Sequence, residues 1–269
     1  MTAKRAPARR LHLGPIAAVA GSIAVASAFV PAMAMVGGAL PAADGAGHSI
    51  VMILGSYSTV CTATAVARDL LLTAAHCVQP GADYKLMGSK PGETPVLKDI
   101  VRIERDPQFD LKRLFGHLAT ADVALLKLSE PLPLGVLAAR IERDTETVAI
   151  GDTLIVAGYG VTVRGAGRLD GIARAAALTV TGQPGPLQIR LFDPGTQGKT
   201  AGLGACTGDS GAPAFRGSNG SLTIIGVVSW STGPNLTAGC GGLTGITPLA
   251  RYRAWVVDTA RMLGSPLEP

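Results

Sequence analysis

The sequence predicts an all-β protein with one helix near its end. After the first 34 residues, short apolar runs rich in Val, Ile, Leu and Thr alternate with turn residues, as in chains built from strands. Glycine and proline are abundant, at 35 and 18 residues, which favours many short strands joined by turns. Many strands followed by one late helix are typical of β-barrels and β-sandwiches.

Several segments have the length and composition of strands. In chain order they are His48–Leu54, Cys61–Ala67, Leu70–Ala74, Val96–Glu104, Val123–Leu128, Thr153–Ala157, Ala175–Thr181, Leu187–Phe192, Leu222–Ser229 and Gly245–Leu249. The helix is predicted over Leu249–Met262, because Trp255, Val256 and Leu263 lie on or near one helical face. The sequence after residue 34 contains no internal repeat.

The first 34 residues have the pattern of a secretory signal peptide. Four basic residues precede an apolar run from Pro15 to Val30, and Ala32–Ala34 has the A-x-A form of a cleavage site. A retained membrane anchor is the alternative, but glycines and a proline interrupt the run, and no second stretch is long enough to span a bilayer. We therefore expect residues 1–34 to be removed and the mature chain to be secreted, outside the cell or into a periplasm.

The net charge of the mature chain is predicted to be close to zero. The whole sequence has 24 basic and 19 acidic residues, a formal charge of +5. Four of the basic residues lie in the predicted signal peptide, so removing it leaves 20 basic residues against 19 acidic ones. A near-neutral protein does not imply a nucleic-acid partner or an anionic membrane.

The four cysteines predict two disulfides, since an exported chain matures in an oxidising compartment. Four cysteines allow three pairings, and their positions alone leave that choice open. No C-x-x-C spacing is present, so we do not expect a metal site.

Three short segments contain the residue types of acyl-transfer chemistry. They are Leu72–Cys77 with His76, Ala121–Leu128 with Asp122, and Thr207–Pro213 with Ser210. In such chemistry the serine attacks, the histidine takes its proton, and the aspartate holds the imidazole in one tautomer. Taken singly, the serine fits a turn, the histidine a structural position and the aspartate a turn or cap.

Together, these segments resemble the motifs of the chymotrypsin-like (trypsin-like) serine proteases. They read T-A-A-H-C, D-V-A-L-L and G-D-S-G-A-P, in the family's order and at comparable spacings, with Ala212 where the family has a second glycine. The match runs from about Met35 to Trp255. The resemblance implies two packed antiparallel six-stranded β-barrels with a C-terminal helix. Residues 35–145 would form the first barrel, and residues 146–269 the second barrel with the helix.

The resemblance also assigns catalytic roles. Ser210 would be the nucleophile, His76 the general base and Asp122 the residue that orients the histidine. The backbone N–H groups of Gly208 and Ser210 would form the oxyanion hole, where glycine lets the backbone approach the substrate oxygen closely. No metal or cofactor is expected.

Two further features are implied by the family likeness alone. The disulfides would be Cys61–Cys77 and Cys206–Cys240. The run Met35-Val36-Gly37-Gly38 resembles the family's mature N-terminus, whose free α-amino group folds inward and pairs with the Asp before the catalytic Ser, here Asp209. Because Ala32–Ala34 directly precedes Met35, signal cleavage alone would expose that group.

The residues expected to form the substrate pocket are neutral. Gly204, followed by Ala205, takes the place of the Asp that trypsin-type enzymes carry six residues before the nucleophile. Ser229 and Trp230 resemble the family's S-W strand, which lines the cleft. Ser231 occupies a wall position, and Thr244 narrows the opposite wall. We therefore expect cleavage after small-to-medium neutral residues.

These observations predict a secreted serine endopeptidase that acts through an acyl-enzyme on polypeptide substrates. We expect a monomer, with a protein inhibitor as a further partner. A secreted esterase with the same triad and a non-catalytic binding module are the alternatives. The order His, Asp, Ser excludes the α/β-hydrolase form of the esterase, and no triad residue is substituted as in modules that have lost turnover.

Overall fold

The structure is a computed structural model that describes residue 2 and residues 35–42, 45–88, 96–143, 148–166, 169–218 and 221–267. The predicted signal peptide, residues 1–34, lies outside the described residues except for Thr2. Within the described part of the chain, no helix is both long and apolar enough to span a membrane.

Strands dominate the described chain, as the sequence predicts. They are β1 (Leu40–Pro41), β2 (Ile50–Gly55), β3 (Val60–Ala67), β4 (Leu70–Thr73), β5 (Tyr84–Gly88), β6 (Val96–Arg105), β7 (Ala124–Leu128), β8 (Arg140–Ile141), β9 (Thr153–Gly158), β10 (Arg174–Thr181), β11 (Ile189–Phe192), β12 (Pro213–Ser218), β13 (Ser221–Ser231) and β14 (Leu243–Pro248). The α-helices are α1 (Leu111–Phe115) and α2 (Arg253–Met262). Short 3-10 helices cover Gly45–Ser49, Ala75–Cys77 and Pro234–Leu236.

The first barrel closes in the order β2–β3–β4–β7–β6–β5, with every neighbouring pair antiparallel. Side chains two residues apart lie on the same face of a strand, so apolar residues at alternate positions line the interior of the barrel. Val51 and Ile53 of β2 pack there with Ala63 of β3 and Leu71 of β4, all buried. The barrel therefore encloses a filled core.

The second barrel is the ring β9–β10–β11–β14–β13–β12, closed by the pairing of β12 with β9. In β10 the buried residues Ala176, Leu178 and Val180 alternate with residues that are more exposed. This period of two is expected for a strand with one face on a core. Two six-stranded barrels and a C-terminal helix confirm the predicted fold class.

A third apolar cluster joins both barrels to α2. It includes Leu125 of β7, Phe215 of β12 and Val256 of α2, all of which are at most 1% exposed. Burying a side chain such as that of Phe215 stabilises the fold by roughly 1.5–3 kcal/mol. The three predicted catalytic residues lie next to strands that contribute to this cluster, so the seam between the barrels positions the site.

Two short strands pair with the second barrel although they lie in the range predicted for the first. β1 pairs with β10, and β8 runs parallel to β13. Both fall within residues 35–145, so the chain segments on either side of the first barrel bind the second. The predicted division at residue 145 lies within residues 144–147, outside the described residues, and stays a prediction.

The observed elements differ from the predicted ones in identifiable ways. Helix α2 begins at Arg253 rather than Leu249, because the N–H of Leu249 bonds to Ile225 and that of Tyr252 bonds back to Leu249 in a turn. The strands β1, β5, β8 and β12 and the helix α1 were not predicted. β12 begins with proline and contains Gly217, and its strand conformation comes from pairing with β13 and β9.

Candidate active site

His76 follows β4 directly and lies in the single-turn helix Ala75–Cys77. Ala75 beneath it is fully buried, and the Cys61–Cys77 disulfide joins this turn to β3. The histidine side chain itself is 19% exposed, so the ring has access to a bound molecule. The local fold thus anchors the backbone of His76 on both sides while leaving its ring reachable.

Asp122 holds the ring of His76 in one orientation. The aspartate is fully buried, and its Oδ2 lies 2.7 Å from Nδ1 of His76, while Oδ1 accepts from the His76 backbone N–H at 2.9 Å. Because an ionised carboxylate only accepts hydrogen bonds, a neutral imidazole in this position carries its proton on Nδ1 and has its lone pair on Nε2. This is the tautomer that a general base needs.

The side chain of Ser229, a residue predicted to line the cleft, contacts Asp122. Its hydroxyl donates to Oδ2 of Asp122 at 2.5 Å, and the residue is buried. Ser229 therefore supports the aspartate from β13, across the seam between the barrels. The sequence indicated Ser229 through the S-W pattern but not this contact.

Ser210 lies on the loop Cys206–Ala212, which precedes β12. Its carbonyl accepts from the N–H of Thr62 at 2.9 Å. A side chain on Gly211 would lie 2.1 Å from the Thr73 hydroxyl, so glycine, here with φ of +78°, lets the loop touch the segment leading into His76. Among the described residues the Ser210 hydroxyl makes no hydrogen bond. In enzymes without substrate, the hydrogen bond between a catalytic nucleophile and its base is commonly long.

The backbone of the same loop has N–H groups without acceptors. Those of Asp209, Gly211 and Ala212 bond to carbonyls within the described structure, whereas those of Gly208 and Ser210, and of the exposed Thr207, have no acceptor there. Gly208 has φ of +97°, a conformation that favours glycine. Since backbone N–H groups rarely stay unpaired, those of Gly208 and Ser210 are free to bind an oxygen of a substrate.

Thr62 is a site residue that the sequence did not reveal. This fully buried residue of β3 donates from its hydroxyl to the carbonyl of Gly208 at 2.9 Å and accepts from the N–H of Tyr159 at 3.1 Å. Its own carbonyl accepts from the Thr73 hydroxyl at 2.8 Å. Thr62 therefore ties the Ser210 loop to the first barrel. The one sequence signal was its position beside Cys61.

Asp209 is a fully buried carboxylate with two backbone donors. It accepts from the N–H groups of Gly160 and Cys206, each at 2.8 Å. A side chain on Gly158 or Gly160 would lie 2.2 Å from a carboxylate oxygen, so both positions require glycine. Burial raises the pKa of Asp209 to about 7, and the two amides offset this in part.

Met35, the predicted partner of Asp209, is also fully buried and packs in the core of the second barrel. The next residue, Val36, forms an antiparallel bridge with Gly204. In the sequence as it stands Ala34 precedes Met35, so its nitrogen is an amide rather than an ammonium. The described structure accordingly contains no Met35–Asp209 ion pair, which requires cleavage at this point.

The residues predicted to line the substrate pocket make several contacts with one another and with neighbouring residues. Thr244 Oγ1 accepts from the N–H of Ala205 at 3.0 Å, and a side chain on Gly204 would meet that same hydroxyl at 3.4 Å. The Ser231 hydroxyl donates to Gly239 at 3.2 Å. Trp230 covers Gly245, where a side chain would lie 2.0 Å from the indole. None of these residues carries a charge.

Both disulfides have the pairing that the family likeness implies. They are Cys61–Cys77 and Cys206–Cys240, and the second joins the Ser210 loop to the segment before β14. The two sulfurs of the first lie close to the His76 ring. Those sulfurs are bonded to each other and Nδ1 of His76 is bound by Asp122, so this cluster does not form a metal ligand set.

Comparison with known proteins gives one consistent family. The family model described as Trypsin matches residues 36–256. A vitellin-degrading protease of Bombyx mori is 30% identical over 197 residues, which cover 68% of this chain and 70% of that protein. An alpha-fibrinogenase-like protein of Daboia siamensis is 24% identical over 217 residues, covering 78% and 81%.

A similar fold is present among solved structures. The human heparin binding protein matches with a TM-score of 0.66 and 24% identity, covering 87% of this chain and 100% of that protein. At that identity the match speaks for the fold alone. The family model and the Bombyx mori protease also indicate the family. They show that this chain belongs to the trypsin family of serine proteases.

Proposed function

We propose that the chain is a secreted serine endopeptidase that hydrolyses peptide bonds through an acyl-enzyme. The observation that carries this proposal is the bond from Nδ1 of His76 to the buried carboxylate of Asp122. With Nδ1 engaged in this way, Nε2 is the ring nitrogen that we assign as the general base for Ser210. Family membership supports a hydrolase of the serine-protease kind, and the assignment of the three residues is our inference.

In the proposed reaction the Ser210 hydroxyl attacks the carbonyl carbon of the scissile peptide, and Nε2 of His76 takes the hydroxyl proton. Asp122 stabilises the imidazolium that forms. The free N–H groups of Gly208 and Ser210 bind the oxyanion; one such donor is typically worth roughly 3–4 kcal/mol of transition-state stabilisation. His76 then protonates the leaving amine, which leaves the acyl group as an ester on Ser210. A water molecule that gives its proton to His76 attacks this ester, and His76 returns the proton to Ser210 as the acid product leaves.

The pocket favours small neutral residues at the cleavage site. Thr244 occupies the space beneath Gly204, and its hydroxyl is already bonded to Ala205. An arginine or lysine side chain would bury a charge there without an acidic partner, which is costly. We therefore infer poor cleavage after Arg and Lys.

Export and activation are proposed to be one event. Two disulfides suit an oxidising compartment, which supports export. Cleavage after Ala34 would turn the buried Met35 nitrogen into an ammonium, a partner for the buried carboxylate of Asp209. N-terminal sequencing of the secreted protein should then begin at Met35. An active enzyme whose N-terminus lies upstream of Met35 would refute this mechanism.

The triad is tested by substitution. Ser210→Ala should lower the turnover of a peptide substrate by several orders of magnitude, because the nucleophile is lost. Circular dichroism should show an unchanged fold. Near wild-type turnover in the purified variant would overturn the assignment.

A further inference from the structure

A cavity of about 460 Å³ lies away from the proposed catalytic residues. Three parts of the chain form its walls: the end of β3 and the residue after it, the segment 138–141 that ends in β8, and α2 with the residues that follow it. None of His76, Asp122 and Ser210 lines it. Its volume falls in the range of pockets that hold small molecules.

The lining combines apolar walls with arginines. Eight of the eleven described residues that line it are apolar, among them Val66, Val257 and Leu267, and the other three are Arg68, Arg140 and Arg253. None of these eleven residues is acidic. A site of this composition suits a molecule with an apolar body and an anionic end, since guanidinium groups bind carboxylates in bidentate fashion.

Two of the arginines lack a partner of their own. Within the described residues, the side chains of Arg68 and Arg253 make no hydrogen bond or ion pair. Nε of Arg253 is buried as well as unpaired. A buried donor without an acceptor costs free energy, which an incoming carboxylate would recover.

Asp69, the acidic residue that follows Arg68, is already hydrogen-bonded to two other side chains. Asp69 accepts from Lys127 at 2.6 Å and from the Ser265 hydroxyl at 2.5 Å. The first turn of α2, which includes Arg253, contains no acidic residue, and Tyr252 provides no side-chain cap. The positive end of the helix dipole therefore adds to the arginine charges instead of being neutralised.

We propose that this cavity binds a small carboxylate with an apolar body. The carboxylate pairs with Arg253 and Arg68 at the rim, and the apolar body packs against Val66, Val257 and Leu267. A sulfated saccharide fits less well, because its many polar groups would face apolar walls without partners. The site is separate from peptide hydrolysis, so the proposal stands whether or not the triad is active.

Isothermal titration of the purified protein with octanoate tests the proposal. We expect saturable one-to-one binding, with octan-1-ol about tenfold weaker because it lacks the charge. Arg253→Gln should weaken octanoate binding by about tenfold, whereas Arg190→Gln on β11, outside the cavity, should leave it unchanged. Val257→Phe, which fills the cavity but keeps every charge, should also abolish binding. Melting temperatures without ligand establish that each variant is folded.

Three results would overturn the proposal. Equal binding of octanoate and octan-1-ol would reduce the site to an apolar crevice. Unchanged affinity in Arg253→Gln would remove the arginine from the site. Displacement of octanoate by a heparin octasaccharide would indicate a general polyanion surface instead.

Discussion

At the scale of single residues, the candidate site depends on hydrogen bonds that cross from one barrel to the other. Ser229 of β13 donates to Asp122, which precedes β7 of the first barrel. In the opposite direction, Thr62 of β3 donates to Gly208 on the Ser210 loop. Each contact joins a proposed catalytic group to a strand of the other barrel, so relative movement of the barrels would disturb the catalytic geometry.

Replacing Thr62 should test this coupling. Thr62→Val keeps the volume but leaves the carbonyl of Gly208 and the N–H of Tyr159 without their partner. We expect the free energy of unfolding to fall by about 2–4 kcal/mol, because each of the two unpaired groups carries a penalty of about 1–3 kcal/mol. Because the Ser210 loop loses its anchor, kcat should fall while KM changes little.

Thr64→Val is the matched control. Thr64 lies on the same strand and is equally buried, but its hydroxyl has no partner in the described structure. Urea unfolding and peptide hydrolysis should therefore show little change or a small gain in stability. If both variants behaved alike, the hydrogen bonds of Thr62 would not be what holds the loop.

At the scale of secondary-structure elements, strands with continuous apolar runs were predictable and those held by their neighbours were not. β3, β4 and β7 lie close to their predicted bounds because their residues fill a core. β12 contains one proline and one glycine, which weigh against a strand, and only pairing with β13 and β9 reveals it. α1 is a single turn, capped by the Asp110 side chain, and too short to show helical periodicity.

The candidate site shows the same division. His76, Asp122 and Ser210 stand in motifs that the sequence displays, so the family likeness identified them. Thr62 has its role through partners 97 and 146 residues away in the chain, at Tyr159 and Gly208, and such distant contacts leave no local pattern.

The strands around the substrate pocket allow a prediction about specificity. Thr244→Gly on β14 removes a hydroxyl that would lie 3.4 Å from a side chain on Gly204, in the wall of the proposed pocket. We expect the ratio of kcat/KM for Phe over Ala at the cleavage position to rise by roughly tenfold or more, since each methylene accommodated is worth about 1–3 kcal/mol. Profiling with a peptide library measures the ratio. A wild-type preference for Arg or Lys would show that the pocket has been wrongly assigned.

At the scale of the whole molecule, the buried carboxylate of Asp209 links folding to processing. Burial raises its pKa to about 7 in the folded chain, against an ordinary value of 3.8. Between pH 3.8 and about pH 7, Asp209 is protonated in the folded chain and ionised in the unfolded chain. The contribution of Asp209 to the free energy of unfolding is therefore fully present below pH 3.8 and is lost as the pH rises through about 7.

This linkage predicts a difference between unprocessed and processed protein. The free energy of unfolding of the unprocessed chain should fall from about pH 4 to about pH 7, relative to Asp209→Asn, which does not titrate there. After cleavage at Met35 the ammonium would pair with the carboxylate, so this decline should disappear. Urea unfolding at a series of pH values measures both. Parallel curves for the unprocessed chain and its variant would contradict the account.

The central claim is that His76 and Asp122 activate Ser210, and covalent labelling tests it most directly. A fluorophosphonate probe should react with the secreted protein, and peptide mapping should place the label on Ser210 alone. His76→Ala should react far more slowly, because the base is missing, while replacing an exposed serine outside the site, as in Ser221→Ala on β13, should not matter. Labelling at another residue, or equal labelling of wild type and His76→Ala, would contradict the claim.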